Sequence, residues 1–96
     1  MRVIFHRHAR AELGEAIDFY KEISPDLARG LRDETAAALD RIVEHPSIGV
    51  PVRSQLRRFL LRRYPYSLIY TVGEDHILIL AVMHHRREPG YWEDRT

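Results

Sequence analysis

The stretch from position 53 to position 63 contains five arginines and no acidic residue. Arginine side chains can bind anions and stabilise negative charge in a reaction. The five are Arg53, Arg57, Arg58, Arg62 and Arg63. A planar guanidinium grips a carboxylate or a phosphate through paired hydrogen bonds, and arginine is strongly preferred here, since the only lysine in the chain is Lys21. The stretch therefore indicates a surface that binds acidic groups, although a solvated sheet face without a ligand would have the same composition.

A second concentration of reactive side chains runs from residue 84 to residue 92. It contains His84, His85, Arg86, Arg87, Tyr91 and Trp92. Neighbouring side chains of a strand point to opposite faces, so the two histidines cannot hold one metal ion together. The chain has no cysteine, and His6 with His8 is expected to be a solvent-facing pair, so we expect neither a metal nor another cofactor. The aromatic rings could stack on nucleic-acid bases, but such rings more often belong to a core or an interface.

Three predicted strands position both groups. Ile77 to Met83 is an apolar run that is too short for a lone helix and predicts a strand buried on both faces. Before it, apolar and polar residues alternate from Tyr66 to Val72, and Gly73-Glu74-Asp75 is a turn that joins the two runs into an antiparallel hairpin. Phe59 and Leu61 mark another strand upstream, which Pro65 separates from the next. We therefore predict a three-stranded meander with arginines at both ends.

Helical periodicity fills the first half of the chain. From about Ala9, an amphipathic helix shows the apolar positions Leu13, Ala16, Ile17, Tyr20 and Ile23. Ser24-Pro25 ends it and begins a second helix, because serine is a good N-cap and proline is tolerated in the first turn. The second helix shows the apolar or small positions Ala28, Leu31, Thr35, Ala38, Leu39, Ile42 and Val43 and ends at His45-Pro46. The two helices are expected to form an antiparallel hairpin.

These elements predict an α+β fold in a single domain, residues 1–96. A short N-terminal strand around Val3 and Phe5 is expected beside the apolar last strand, giving a mainly antiparallel sheet of four strands with the helical hairpin on one face. The opposite face is expected to be a concave basic surface unless the Tyr91-Trp92 segment crosses it. Glu88-Pro89-Gly90 predicts a turn, and residues 93–96 are expected to fray.

Composition limits the class of protein. A chain of 96 residues and 11.3 kDa supports one hydrophobic core. No apolar run approaches the roughly 18 residues that a membrane span needs, and the N-terminus lacks a signal-peptide pattern. With no cysteine, this predicts a soluble cytoplasmic protein. Charge is uneven, because residues 1–44 carry seven bases and nine acids, net −2, whereas residues 45–96 carry eight bases and five acids, net +3.

The element order, the strand Pro65-Tyr66-Ser67-Leu68-Ile69-Tyr70 and the run from Val82 to Trp92 together resemble the RelE/ParE superfamily of bacterial toxins. The resemblance covers nearly the whole chain and includes the helix start from Ala9 to Leu13. It implies the toxin of a type II toxin–antitoxin module, of the kind associated with plasmid stabilisation. A cognate antitoxin would then wrap the toxin surface and neutralise it.

Two mechanisms occur in that superfamily. Its ribosome-dependent nucleases cleave messenger RNA by attack of a 2′-hydroxyl on the adjacent phosphate, which needs cations and a proton donor or acceptor. For that activity the resemblance offers Arg58, Arg62, Arg87, His84, His85 and Tyr91. However, Ser67 and Leu60 stand where the nucleases carry basic residues, and Tyr91 lies off the register of their C-terminal tyrosine. These departures favour the ParE-like branch, whose members inhibit DNA gyrase.

We therefore expect a gyrase inhibitor without catalysis, neutralised by an antitoxin, with cleavage of messenger RNA on the ribosome as the alternative. The expected partner-binding residues are Arg57, Arg58, Arg62, Arg63, Arg86, Arg87, Tyr91 and Trp92. A nuclease would instead use Arg58, Arg87, His84, His85 and Tyr91 as catalytic residues. A DNA-binding regulator is a less favoured third class, because the bases lie on strands and no helix has a basic recognition face.

Overall fold

Two helices and five strands occur in residues 1–53 and 55–95, the part of the chain that the computed structural model describes. The elements follow in the order β1 (Arg2–Phe5), α1 (Arg7–Ile23), α2 (Pro25–Glu44), β2 (Val50–Arg53), β3 (Leu56–Leu60), β4 (Tyr66–Val72) and β5 (His76–His84). The helical hairpin packs on one face of the sheet, which confirms the predicted α+β class.

One serine sets the boundary between the two helices. The Ser24 backbone N–H donates to the Tyr20 carbonyl at 2.8 Å and closes the last turn of α1. Its hydroxyl accepts from the Asp26 N–H at 3.2 Å and caps α2, with Pro25 in the first turn. Because capping groups satisfy backbone donors that a helix end would leave open, this residue allows an abrupt turn. The predicted break between the helices is confirmed.

The sheet has the strand order β1-β5-β4-β3-β2. The pairs β5-β4, β4-β3 and β3-β2 are antiparallel, and β1 lies beside β5 as predicted. Two details differ from the prediction: β1 runs parallel to β5, with Val3 opposite Ile77, and β2 adds a fifth strand. Every residue of β2 is exposed and Pro51 lies within it, and a proline in so short a run argues against a strand, so β2 was not predicted from Val50 and Val52.

The helix side of the sheet contains the larger core. Its buried members include Ala9, Ala16, Leu31, Ala38, Ile42, Tyr64, Leu68, Tyr70, Ile77 and Ile79. The predicted apolar stripe of α2 is confirmed, because Ala28, Leu31, Thr35, Ala38 and Ile42 are buried. The predicted stripe of α1 is wrong at Ile23, which is 61% exposed because it is the last residue of the helix.

The opposite face of the sheet is closed by the segment that follows β5. Trp92 is 3% exposed and packs with Ile69, Leu80, Ala81 and Met83 in a second buried cluster. Ile69 pairs with Ala81 and Tyr70 pairs with Ile79, so Leu80 is an extra residue that forms a β-bulge in β5. Because of this bulge, Leu80 and Ala81 both belong to the buried cluster on this face. The Tyr91-Trp92 segment therefore does cross the sheet, and the expected open basic surface is reduced to what lies around it.

Residues 93–95 are held in place, contrary to the expectation that the C-terminus frays; Thr96 lies outside the described residues. The Arg95 guanidinium donates to the Leu80 carbonyl at 3.0 Å and to Glu12 on α1 at 2.9 Å. Glu93 pairs with Arg53 of β2. Ion pairs between residues far apart in the chain cannot be predicted from composition. For that reason the sequence analysis predicted a frayed C-terminus. The predicted turn at residues 88–90 is confirmed, with Gly90 at a φ of 102°.

Within the described residues, neither helix combines the length and the apolar character that crossing a membrane requires.

Candidate functional site

A buried hydroxyl links two of the candidate residues on the helix-free face. Ser67 is 0% exposed, and its Oγ accepts a hydrogen bond from Arg58 Nε at 3.0 Å. The same oxygen lies 3.0 Å from His85 Nε2. Strand register produces this contact, because Arg58 stands opposite Ile69 on β4 and Ser67 opposite Met83 on β5. Arg58, Ser67 and His85 therefore form one hydrogen-bonded network.

Glu12 of α1 organises a second group. Its Oε1 accepts from the Val82 backbone N–H at 3.0 Å and from Arg95 at 2.9 Å. Its Oε2 accepts from Arg95 at 3.1 Å and from Arg87 at 3.4 Å. Only 13% of this side chain is exposed, and burying a carboxylate is costly unless it has such hydrogen-bond partners. Arg87 is therefore partly neutralised by an acid of the same chain.

Tyr91 lies between two guanidinium groups in this second group. The Arg87 carbon Cζ is 3.6 Å from the centre of the Tyr91 ring, and that of Arg95 is 4.9 Å away. Burial, followed by the nearby Glu12 carboxylate, raises the pKa of Tyr91 to about 12. Its hydroxyl is buried and has no hydrogen-bond partner within residues 1–53 and 55–95. A phenol with so high a pKa is a poor proton donor and is not ionised at neutral pH.

His84 occupies a different environment from His85. Its ring meets Tyr66 edge-on at 5.0 Å between centroids, and its Nδ1 accepts from the Arg86 backbone N–H at 3.0 Å. Burial, the Arg86 charge and His85 lower the pKa of His84 from 6.5. The side chain opens into a groove of about 310 Å³ beside α1, where Glu12, Glu15, Phe19, Tyr66 and Arg87 also lie.

The arginines of β3 and of the following turn divide by role. Arg57 donates to the Gly49 carbonyl at 2.7 Å and to the Ser47 carbonyl at 3.1 Å, so it holds the loop before β2. The backbone N–H groups of Arg62 and Arg63 both donate to the Glu34 carboxylate of α2, which fixes this turn. The side chains of Arg62 and Arg63 are exposed there. These arginines therefore lie in three separate places, and they do not form one surface.

The contacts divide the five candidate nuclease residues into two groups. Arg58 and His85 meet through Ser67, whereas Arg87 meets Tyr91 beside Glu12 and shares the groove with His84. Sequence reasoning missed three contributors, namely Glu12, Ser67 as a hydrogen-bonding residue, and Arg95. Nothing local distinguishes Glu12 from the other acids of α1, because its partners lie 70 to 83 positions later in the chain.

The described residues contain no group of three or more His, Asp or Glu side chains arranged to hold a metal ion. The rings of His6 and His8 stack, with centroids 5.3 Å apart. His6 Nδ1 accepts from the His8 N–H at 3.2 Å, so His6 serves as the N-cap of α1. A nitrogen that accepts a backbone hydrogen bond is not available to a metal.

An exposed apolar strip lies at the end of the helical hairpin where α1 turns into α2. Phe19 is 58% exposed, Ile23 is 61% exposed and Leu27 is 39% exposed. Phe19 also lines the groove beside α1, so the strip and the groove are continuous. Contiguous exposed apolar side chains commonly mark an interaction surface.

Three comparisons relate this chain to known proteins. It is 29% identical over 90 residues to Toxin ParE2 of Mycobacterium tuberculosis, in both the CDC 1551 / Oshkosh and H37Rv strains, covering 93% of this chain and 86% of each relative. A solved structure of the chromosomal ParDE TA system from P. aeruginosa matches with a TM-score of 0.75 and 25% identity, covering 88% of this chain and 95% of that one. The family model for the ParE toxin of the type II toxin–antitoxin system parDE matches residues 3–89. The chain therefore belongs to the ParE toxin family, and its partner class is an antitoxin.

Proposed function

We propose that this toxin inhibits DNA gyrase in the bacterial cytoplasm by binding to it, without catalysis, until a cognate antitoxin covers the toxin surface. Membership of the ParE family supports the toxin role and the antitoxin, and the choice of gyrase follows the resemblance of the sequence to the gyrase-directed branch.

One observation carries the choice of binding over RNA cleavage. Arg87 pairs with Glu12 and lies over the ring of Tyr91, whereas the hydrogen bonds of Arg58 and His85 join those two residues to Ser67. Cleavage of a phosphodiester requires cations and a proton-transfer group around one phosphorus atom. A carboxylate beside Arg87 opposes the approach of a phosphate, so this arrangement favours a contact surface over a catalytic centre.

The gyrase proposal is tested with the purified full-length chain in a supercoiling assay, and in cells by the response to induction. We expect inhibited supercoiling, DNA damage signalling and filamentation while bulk messenger RNA stays uncut. Arg87→Ala should weaken inhibition in a graded manner, since binding energy in an interface is shared among several anchors. Arg29→Ala, a change on the exposed face of α2, is the matched control and should leave inhibition unchanged.

Cleavage of messenger RNA remains the second candidate because Arg58 and His85 are joined through Ser67 and lie on one face. Primer extension on ribosome-bound transcripts after induction separates the two. Cleavage at defined codon positions that disappears in Arg58→Ala or Arg87→Ala would replace the gyrase proposal. Loss of catalysis would then amount to orders of magnitude in rate with binding preserved.

For the antitoxin we propose a docking surface made of the apolar strip Phe19, Ile23 and Leu27 and the adjoining groove. An amphipathic segment that orders on binding would bury the strip and place charged residues beside Arg86 and Arg87. Co-expression with the cognate antitoxin, once its gene is identified, should yield a complex. Phe19→Asp should reduce co-purification, whereas Asp33→Asn on the exposed part of α2 should not. Separate, uncomplexed proteins would contradict this docking surface.

A further inference from the structure

We propose that the antitoxin segment covering the apolar strip and the adjoining groove carries basic side chains towards α1, and that Glu15 and Glu22 select it. The inference rests on the docking surface proposed above and adds the charge of its occupant. Membership of the ParE family makes an antitoxin the partner class, and the charges around the strip determine which kind of segment fits there.

The first step is the position of two acidic side chains on α1. Glu15, Phe19 and Ile23 follow one another at a spacing of four residues, so they form one line along the helix. Glu22 lies three residues after Phe19, on the same side of the helix. All four residues are exposed, and Glu15 and Phe19 also line the groove of about 310 Å³. A segment that buries Phe19 must therefore pass close to both carboxylates.

The second step is the charge that remains on this surface. Residues 12–26 contain one base, Lys21, and five acids, which are Glu12, Glu15, Asp18, Glu22 and Asp26. Arg87 and Arg95 compensate Glu12, and Arg29 compensates Asp26. Within residues 1–53 and 55–95, neither Glu15 nor Glu22 forms an ion pair. The helix side of the docking surface therefore carries uncompensated negative charge, which favours a partner of the opposite sign.

The third step is the kind of side chain that suits both the ring and the acid. Covering Phe19 removes water from the neighbouring carboxylates, and that is unfavourable unless a cation approaches with the partner. A guanidinium binds a carboxylate through paired hydrogen bonds and can lie on an aromatic ring at the same time. This chain already contains that combination, since Arg87 lies 3.6 Å from the centre of the Tyr91 ring and pairs with Glu12. An arginine of the partner would make the same two contacts with Phe19 and Glu15.

The overall charge of the chain favours the opposite kind of partner. The formal net charge is +1, and the sheet half of the chain is the basic half. A partner attracted by the whole molecule would therefore be acidic, whereas a partner selected at the apolar strip would be basic. The sign of the preferred partner thus distinguishes selection at this surface from general attraction.

Three synthetic amphipathic peptides serve as probes. They share leucines at the helical spacing i, i+4 and i+7, and they differ only at the flanking positions, which are all arginine, all glutamine or all glutamate. Binding to the purified full-length chain is measured by fluorescence anisotropy at low salt. We expect the arginine peptide to bind about tenfold more tightly than the glutamate peptide, with the glutamine peptide between them. The difference should shrink as salt is added, because exposed charges are screened.

Variants of the chain locate the selection. Glu15→Lys should weaken binding of the arginine peptide about tenfold and strengthen binding of the glutamate peptide. Asp40→Lys is the matched control, because it changes the net charge equally at an exposed position of α2 and should leave the order of affinities unchanged. Phe19→Ala should weaken all three peptides by a similar factor. Circular dichroism verifies each fold, and Glu22→Lys provides a second charge reversal if Glu15→Lys fails to fold.

The outcomes separate this inference from the docking surface on which it rests. Peptides that depend on Phe19 but bind with equal affinity, or with the glutamate peptide tightest, would overturn the inference and leave the docking surface in place. Binding that is insensitive to Phe19→Ala, or no binding by any peptide, would overturn the docking surface and the inference with it. Equal weakening by Asp40→Lys and Glu15→Lys would mean that overall charge governs binding, and would overturn the role of Glu15.

Discussion

The two faces of the sheet are closed by different means. On one face, two long helices bury side chains such as Leu31, Ile42, Tyr70 and Ile77, each 0% exposed. On the other face a short segment without regular structure supplies one large side chain, Trp92, and is tied down by ion pairs. The first closure is distributed over many apolar contacts, and the second depends on a few specific residues.

The helix side of the sheet therefore supplies most of the stability, whereas the opposite face carries candidate binding residues. Removing apolar surface from water stabilises the helix side by about 25 cal/mol for each Å² buried, spread over two elements. The opposite side combines a smaller apolar cluster around Trp92 with a few charge-assisted hydrogen bonds, which are individually stronger. Cooperative unfolding should therefore follow the helix side, while the segment after β5 can open locally.

The largest expected effect comes from the helix side. Leu31→Ala removes a fully buried side chain beneath the sheet and should lower the free energy of unfolding by about 2–5 kcal/mol. Urea denaturation followed by circular dichroism measures it. Leu27→Ala, four residues earlier and 39% exposed, is the matched control and should cost much less. If the two changes lowered the free energy of unfolding equally, the helix side would not be stabilised by its buried core as described.

An intermediate effect is expected when the C-terminal segment is released. Glu12→Gln keeps the shape of the side chain but weakens its hydrogen bonds to Arg87, Arg95 and the Val82 N–H. Bonds to a charged group contribute about 1.5–3 kcal/mol each to stability, part of which Gln retains. Hydrogen exchange should show faster exchange in residues 88–95, with smaller changes in the helices.

Glu15→Gln is the control for this change, since Glu15 lies on the same helix and is exposed. It should leave exchange in the C-terminal segment as it is in the unmodified protein. If Glu12→Gln lowered protection uniformly across the sheet and both helices, the segment would be part of the cooperative core, and the proposed difference between the two faces would be wrong.

The smallest effect is the response to mild acid. Burial, then the neighbouring His8, Arg95 and Arg7 charges, lowers the pKa of His6 below 6.5. Burial, then Arg86 and His85, lowers the pKa of His84. Below pH 6.5 the unfolded chain therefore binds more protons than the folded protein, and stability falls with falling pH until the pH passes below the folded-state pKa values. Thermal unfolding at a series of pH values below 7 measures this decline.

His6→Asn isolates the contribution of the helix start. Asparagine is a good N-cap and does not titrate, so the cap should persist while part of the acid sensitivity disappears. A pH dependence that is identical in the variant would mean that His6 does not contribute to it. His84→Gln tests in the same way whether His84, next to the groove, contributes to the acid sensitivity.

Much of the fold could be predicted from local pattern. The helix break at Ser24, the buried last strand, the meander and the placement of β1 beside β5 all follow from periodicity, capping and turn residues. The exposed strand β2 was not predicted, because it has only four residues and Pro51 separates its two valines. Burial at the end of a helix was also not predicted, because Ile23 continues the apolar spacing of α1 and yet is exposed.

Less of the candidate site could be predicted. The sequence identified Arg58, Arg87, His84, His85 and Tyr91 as residues of interest, but not how they are grouped. Grouping depends on strand register, which placed Ser67 between Arg58 and His85, and on a long-range ion pair to Glu12. A one-residue change in register would have moved these side chains to opposite faces. Only the folded chain contains that information.

The pairing of β1 with β5 also constrains the order in which the protein can be completed during translation. The helical hairpin needs only contacts that are close in sequence, so it can form as soon as its two helices have been synthesised. Val3, by contrast, has no strand neighbour until Ile77 has been made, and Glu12 acquires Arg95 only from the end of the chain. Domains of this kind finish folding late, after non-local pairing closes a long loop. A nascent chain that stops before β5 therefore lacks both the complete sheet and the surface that closes its second face, and truncation in the last quarter of the protein removes far more structure than the number of lost residues indicates.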